Sequence, residues 1–273
     1  MFFFDFFVKV CLGSVIVLKI PAKKSLGQNF LKDEEILKRI SNTISVTKED
    51  VILEIGPGKG ALTKYLLEKN CHYFAYEIDT RMEPILSKLT SNVKYEDFLL
   101  SDLVNDFSLL TYQNFYVVAN IPYYITTPII EHLVSSGISI SSMILLVQKE
   151  VADRFSAKPC TKDYGYFTVF LNYYFEVETQ FLVNRTCFDP VPKVDSAVVK
   201  FIRKETKKLD EKKFFEFLKC CFSNKRKTLH NNLKQYDWNV IFPVLEKYHY
   251  SSMVRAEELP LEVFEHIFFA LNL

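Results

Sequence analysis

Between residues 51 and 147 the chain alternates short apolar runs with amphipathic stretches, and a glycine-rich turn follows the first run. Val51-Ile52-Leu53-Glu54-Ile55 reads as a strand that enters Gly56-Pro57-Gly58-Lys59-Gly60. Ala61 to Lys69 then reads as a helix, with Leu62, Tyr65 and Leu66 spaced for burial. His72 to Tyr76 is a second strand, ending in Glu77-Ile78-Asp79, and Arg81 to Leu89 a helix. A strand from Val93 to Glu96 ends at Asp97, and another from Phe115 to Ala119 ends at Asn120. A helix from Pro128 to Ser135 and a strand from Met143 to Val147 complete the series. This alternation specifies an α/β fold with a mostly parallel, doubly wound sheet. Right-handed crossovers bring the named strand ends to one edge, where ligands bind in such sheets.

The flanking regions read differently. Asp33 is a good N-cap for a helix running through Asn42, with Ile36, Leu37 and Ile40 on one face. Val177 to Val183 and Ala197 to Ile202 read as a hairpin that closes the sheet edge. From Lys204 the chain becomes helical and basic, with ten Lys or Arg against four Asp or Glu between Lys204 and Lys234. We therefore expect a catalytic domain over residues 21–203 and a small all-helical C-terminal domain over 204–273. Residues 1–20 are apolar and Phe-rich, but Asp5 spoils a basic leader and no small-residue cleavage site follows. The apolar run is also too short to span a bilayer, so residues 1–20 are read as an extension outside the fold, with no membrane role.

With 273 residues and 49% hydrophobic content, the chain can bury a large core. Its formal charge of +1 gives no global vote for nucleic acid, so only local clusters can. Cys11, Cys71, Cys160, Cys187, Cys220 and Cys221 contain no C-x-x-C pair and no His at ligand spacing. That pattern fits a reduced, cytoplasmic chain without a metal site.

Asn120-Ile121-Pro122-Tyr123 is the most informative chemistry on the strand edge. The Asn120 side-chain oxygen and the Pro122 carbonyl can each accept one N–H of a planar exocyclic amine. The Tyr123 ring can stack on the base that carries it. An ordinary X-Pro turn with a core Tyr has the same residues. Gly56-x-Gly58-x-x-Ala61 lets a ligand lie against the backbone, and Glu77, 21 residues after Gly56, can accept two ribose hydroxyls. To this point NAD and S-adenosylmethionine fit equally. Asp97 at a third strand end can accept an adenine amine and tilts the choice toward S-adenosylmethionine, although singly Glu77 or Asp97 is more readily a solvated carboxylate.

These residues carry a resemblance that runs from about Ala22 through Leu233. Its pieces are Ser25 to Leu31, Glu54 to Gly58, Tyr76 to Asp79, Glu96-Asp97, Asn120 to Tyr123, Gln148 to Arg154, Phe188 to Ala197 and Lys225 to Leu229. In these the chain resembles the KsgA family of ribosomal RNA adenine dimethyltransferases. The resemblance implies a Rossmann-like class I fold, S-adenosylmethionine as methyl donor and no metal. It implies an enzyme that acts as a monomer on small-subunit ribosomal RNA in the immature small subunit, forming N6,N6-dimethyladenosine at two adjacent adenosines. It further implies cofactor contacts from Asn29, Leu31, Gly56, Glu77, Asp97 and Asn120. Tyr123 and Phe188 would sandwich the target adenine, and Lys225, Arg226 and Lys227 would bind RNA. Tyr124 and Tyr166 depart from the family pattern and bear on substrate fit. Methylases of large-subunit RNA share the first five pieces, and a non-catalytic ribosome-assembly factor could use the same scaffold, so both alternatives stand.

Overall fold

The computed structural model describes residues 20–121, 125–206 and 209–273. Its centre is a seven-stranded sheet whose inner strand is β2, Val51–Ile55, buried along its whole length. Parallel to it on one side lies β3 (His72–Tyr76), then β4 (Val93–Lys94). On the other side lie β5 (Phe115–Asn120) and β6 (Ser142–Gln148). Strand order therefore reverses between β2 and β5, which opens a crevice at their carboxyl ends. Two antiparallel strands, β7 (Phe175–Val183) and β9 (Ser196–Arg203), extend the sheet beyond β6, as the hairpin reading anticipates.

The period-two alternation of β2 divides the core. Val51, Leu53 and Ile55 join one apolar cluster and Ile52 joins the other. On the Ile52 face pack α1 (Glu34–Asn42) and α2 (Ala61–Leu67). Asp33 caps α1 by accepting the Ile36 N–H at 3.0 Å, and Ile36, Leu37 and Ile40 are its buried stripe. At the opposite end of the sheet, buried Asp50 accepts from the Asn114 backbone and side-chain nitrogens, which aligns the starts of β2 and β5.

Two helical readings change. The helix expected from Arg81 to Leu89 is a 3-10 turn, Thr80–Met82, followed by one α turn, α3 (Glu83–Leu86). Pro84 is tolerated only in the first turn of a helix, so the α geometry starts at Glu83. After a short α4 (Leu103–Asp106), α5 (Thr126–Ser135) and α6 (Lys149–Phe155), the chain forms α7, Tyr166–Tyr174, which the hydropathy pattern did not reveal. Seven of its nine residues are buried, so it lacks the polar face that creates a 3.6-residue signal. Against α7 and its cluster pack α8 (Glu211–Cys221), α9 (Leu229–Asn232), α10 (Trp238–Lys247) and α11 (Leu261–Ala270), with Phe214, Phe217 and Phe264 fully buried. No helix among the described residues is long and apolar enough to cross a membrane.

Candidate cofactor and substrate cleft

The crevice between β2 and β5 opens into a cavity of about 370 Å³. Asn29, Leu31, Gly56, Glu77, Asp97 and Asn120 all line it, drawn from five separate stretches of chain. Pro122 and Tyr123 of the proposed amine grip, and Tyr124 beside them, lie outside the described residues.

Each glycine of the turn after β2 has its N–H committed inside the protein. Gly56 donates to the Tyr76 carbonyl at 2.9 Å and Gly60 to the Pro57 carbonyl at 2.9 Å. Gly58 donates to Glu77 Oε2 at 2.8 Å. The turn needs glycine at 58 because φ there is +55° and a Cβ would sit 3.1 Å from the Phe30 ring. Glu77 is 3% exposed, and its Oε1 accepts the Asp79 N–H at 2.8 Å. One carboxylate therefore joins the glycine turn to the turn after β3. Burial nevertheless pushes its pKa up, ahead of the lowering by those N–H groups. Each oxygen keeps a second lone pair for a ligand hydroxyl.

Asp79 beside it behaves oppositely. Arg81 donates two guanidinium N–H bonds to it and Gln28 a third, which holds its carboxyl down at about 2. Gln28 Oε1 also accepts the Lys23 N–H at 2.8 Å, so this residue fastens the entering segment over the cleft. Asn120 Nδ2 donates to the Asn29 carbonyl at 3.2 Å. An amide whose nitrogen is spent on a carbonyl presents its oxygen as the acceptor. Asp97 Oδ1 accepts the Leu99 N–H at 3.0 Å, and Phe98 beside it packs edge-on to Tyr76 at 5.3 Å.

The structure does not bring Phe188 into this cavity. β1 (Phe30–Leu31) pairs antiparallel with β8 (Phe188–Asp189), placing Phe188 opposite Leu31 and Asp189 opposite Phe30. Alternation turns Phe188 into the core at 1% exposure, and Asp189 lines the cleft instead. Lys225 is also less available than its sequence suggests. Its ammonium is 3.6 Å from Glu257 and donates to the Lys162 carbonyl. Arg226 and Lys227 are exposed, and their side chains have no partner among the described residues. Glu54, Gln28 and Asp79 were missed as site residues. Gln28 and Asp79 fall inside pieces of the resemblance, and Glu54 carried a signal of its own, being a lone acid inside an otherwise apolar strand.

The wall charge fits a cationic ligand. Glu54, Glu77, Glu96, Asp97 and Asp189 face the cavity against Lys32 and Lys59, and the Lys59 ammonium lies 4.3 Å over the Phe30 ring. S-adenosylmethionine, with its sulfonium, ribose hydroxyls and adenine amine, matches that donor and acceptor set.

Comparison with known proteins agrees with this geometry. The family described as ribosomal RNA adenine dimethylase matches residues 20–247. The chain is 42% identical over 271 residues to ribosomal RNA small subunit methyltransferase A of Streptococcus pneumoniae (strain P1031), covering 92% of each. It is 41% identical over 256 residues to the protein of the same name from Mycoplasma mobile, covering 92% of this chain and 98% of that one. A solved dimethyladenosine transferase from Plasmodium falciparum superposes with a TM-score of 0.74 at 28% identity, covering 89% of this chain and 97% of that chain. The 23S rRNA methyltransferase ErmE superposes with a TM-score of 0.70 at 27% identity, covering 90% and 100%.

Proposed function

This chain belongs to the ribosomal RNA adenine dimethylase family, and from that premise we propose how its own residues carry the reaction. It is an S-adenosylmethionine-dependent methyltransferase that dimethylates adenine N6 in small-subunit ribosomal RNA. The observation that carries the site reading is the meeting of Asn29, Gly56, Glu77, Asp97 and Asn120 in one crevice at the strand-order reversal. The 23S enzyme shares the scaffold, so fold alone leaves the RNA open. The small-subunit names of the curated relatives at 41–42% identity favour the small subunit.

When bound, S-adenosylmethionine supplies a methyl group made electrophilic by its sulfonium. Glu77 would accept its ribose hydroxyls and Asp97 its adenine amine, Asn29 and Leu31 would contact its methionine and ribose side, and Gly56 would lie against it. The adenine N6 lone pair is delocalised into the ring, so the amine needs activation. Asn120 Oδ1 accepts one N–H, the Pro122 carbonyl accepts the other, and the nitrogen moves toward a pyramidal geometry. Held in line, such a pair gains about 7–11 kcal/mol from orientation in favourable cases. The proton leaves to solvent after transfer, because a methylated ammonium on adenine is strongly acidic. A monomethyl amine keeps one N–H for Asn120 and reacts again. Tyr123 stacks on the extruded base, which offsets part of its unstacking cost of a few kcal/mol. Arg226 and Lys227 lead the phosphate contacts of residues 204–273, and the reaction takes place in the cytoplasm on the immature subunit.

The test uses unmethylated small subunits and labelled donor. Wild-type protein should yield N6,N6-dimethyladenosine on nuclease digestion of the RNA. Asn120→Ala should lose transfer by at least 100-fold while still binding donor. Wild-type turnover in that variant would remove Asn120 from the reaction.

A further inference from the structure

Glu54 is a carboxyl that the methyl-transfer scheme does not use. It is 2% exposed within β2, yet it lines the cleft. Its Oε2 accepts the Thr63 hydroxyl at 2.7 Å and the Tyr73 hydroxyl at 2.5 Å. Its Oε1 has no partner among the described residues and is not one of the fully covered side-chain atoms there, all of which are bonded. Oε1 is therefore the atom through which Glu54 reaches the cavity.

No cation balances this group among the described residues. From the β3 side the titratable groups facing it are Tyr73 and, with like charge, Glu77. At the same level β5 presents Val118 and β3 presents Ala75. Helix α2 turns Thr63 inward and leaves Lys64 exposed, as is Glu68 just after it, and α1 keeps Glu34, Glu35, Lys38 and Arg39 on its exposed face. In the turn above, Lys59 is engaged by the Phe30 ring, and Arg81 is bonded to Asp79. Burial first, and Glu77 last, raise the Glu54 pKa to about 7 against the lowering by the two hydroxyls. In the ligand-free protein at neutral pH, proton and charge are then in balance on this side chain.

Resting on the reading of the cleft as the S-adenosylmethionine site, we infer that Glu54 distinguishes the methyl donor from the spent product. It gives its proton to solvent when the cationic donor enters, and it takes a proton back once transfer has left a neutral thioether. Donor and product, S-adenosylhomocysteine, share the ammonium, ribose and adenine. They differ in one methyl and one positive charge beside a wall that carries uncompensated carboxyls. An ionised Glu54 favours the sulfonium, and a protonated one favours neither. The residue is thus a specificity determinant for donor over product, and it promotes product release.

Calorimetric titration of the full chain with donor and with product, in two buffers of different ionisation enthalpy, reads the proton directly. At pH 7 donor binding should release up to roughly half a proton, and product binding clearly less. The donor-to-product affinity ratio should rise by up to roughly fivefold from pH 6 to pH 7, a range in which the α-amino groups of both ligands stay mostly protonated. Glu54→Gln retains an oxygen for Thr63 and Tyr73, and should abolish both the proton release and the pH dependence of the ratio. Donor binding without proton release in the wild type overturns the inference, whether or not the variant folds. So does an equal pH response of donor and product, or a Gln variant that titrates like wild type. Absence of donor binding at every pH would instead overturn the cofactor reading beneath it.

Discussion

Replacing Glu77 by Gln separates what this carboxylate does for the fold from what it does for the ligand. Both oxygens accept backbone N–H groups, from Gly58 and Asp79, each at 2.8 Å. A side-chain amide cannot serve both. Whichever way it turns, its NH2 faces one of the two N–H donors, and that buried donor loses its acceptor at a cost of about 1–3 kcal/mol. Removing a charge that burial opposes returns part of this cost. We therefore expect a net loss of about 1–2 kcal/mol in denaturant unfolding of the ligand-free protein. At about 2–4 °C per kcal/mol for a large domain, Tm falls by roughly 2–8 °C. Because burial raises the Glu77 pKa, the side chain favours the fold most while it is protonated, below about 4.5, and less as rising pH ionises it. The gap between wild type and Glu77→Gln should accordingly narrow toward alkaline pH. Loss of a hydroxyl bond to a charged acceptor costs about 1.5–3 kcal/mol, so calorimetry should show donor affinity reduced by roughly 10- to 100-fold. An unchanged unfolding midpoint would refute the bridge between the two turns. Unchanged affinity would refute the ribose role.

Gly58→Ala should cost about 1–2 kcal/mol for the left-handed backbone at +55°, with donor affinity falling in parallel as the Phe30 ring is displaced; equal unfolding midpoints would remove the strain argument. Replacing Arg226 and Lys227 together by Ala should lower the slope of log affinity for RNA against log salt by about 1.4–1.8, whereas Lys225→Ala should change it far less because Glu257 already neutralises that ammonium. Equal slopes for the two proteins would place the phosphate contacts elsewhere.

Strands β2, β3 and β5 were legible because each is a short apolar run that stops at a Gly, acidic or Asn-x-Pro turn, and Glu77 and Asn120 stand where those runs stop, whereas β4 ends at Lys94, three residues short of Asp97. Such information is local. What escaped was set by partners distant in the chain. Phe188 reads as one side of the adenine sandwich, but its direction is decided by pairing with Leu31. Lys225 reads as a free charge in a basic run until Glu257 is brought beside it. Helix α7 was hidden for a different reason: burial on nearly every side erases the contrast between faces on which periodicity depends.

The same distinction resolves the one choice that the glycine pattern left open. A dinucleotide site places its pyrophosphate on free N–H groups of the glycine turn and the following helix. Here the three glycine N–H groups are bonded to Tyr76, Glu77 and Pro57, so the turn offers an anion no glycine donor. The Glu77 carboxylate lies against Gly58, where a phosphate would meet it with like charge, and three more acids follow along the wall at Glu54, Glu96 and Asp97. A doubly charged pyrophosphate would enter against all of them, whereas a sulfonium is drawn toward each. Thus the spacing of Gly56, Gly58 and Ala61 provides the close backbone approach that any adenosine ligand uses. The bonding of the N–H groups at that turn selects the cation among those ligands, and with it methyl transfer over hydride transfer.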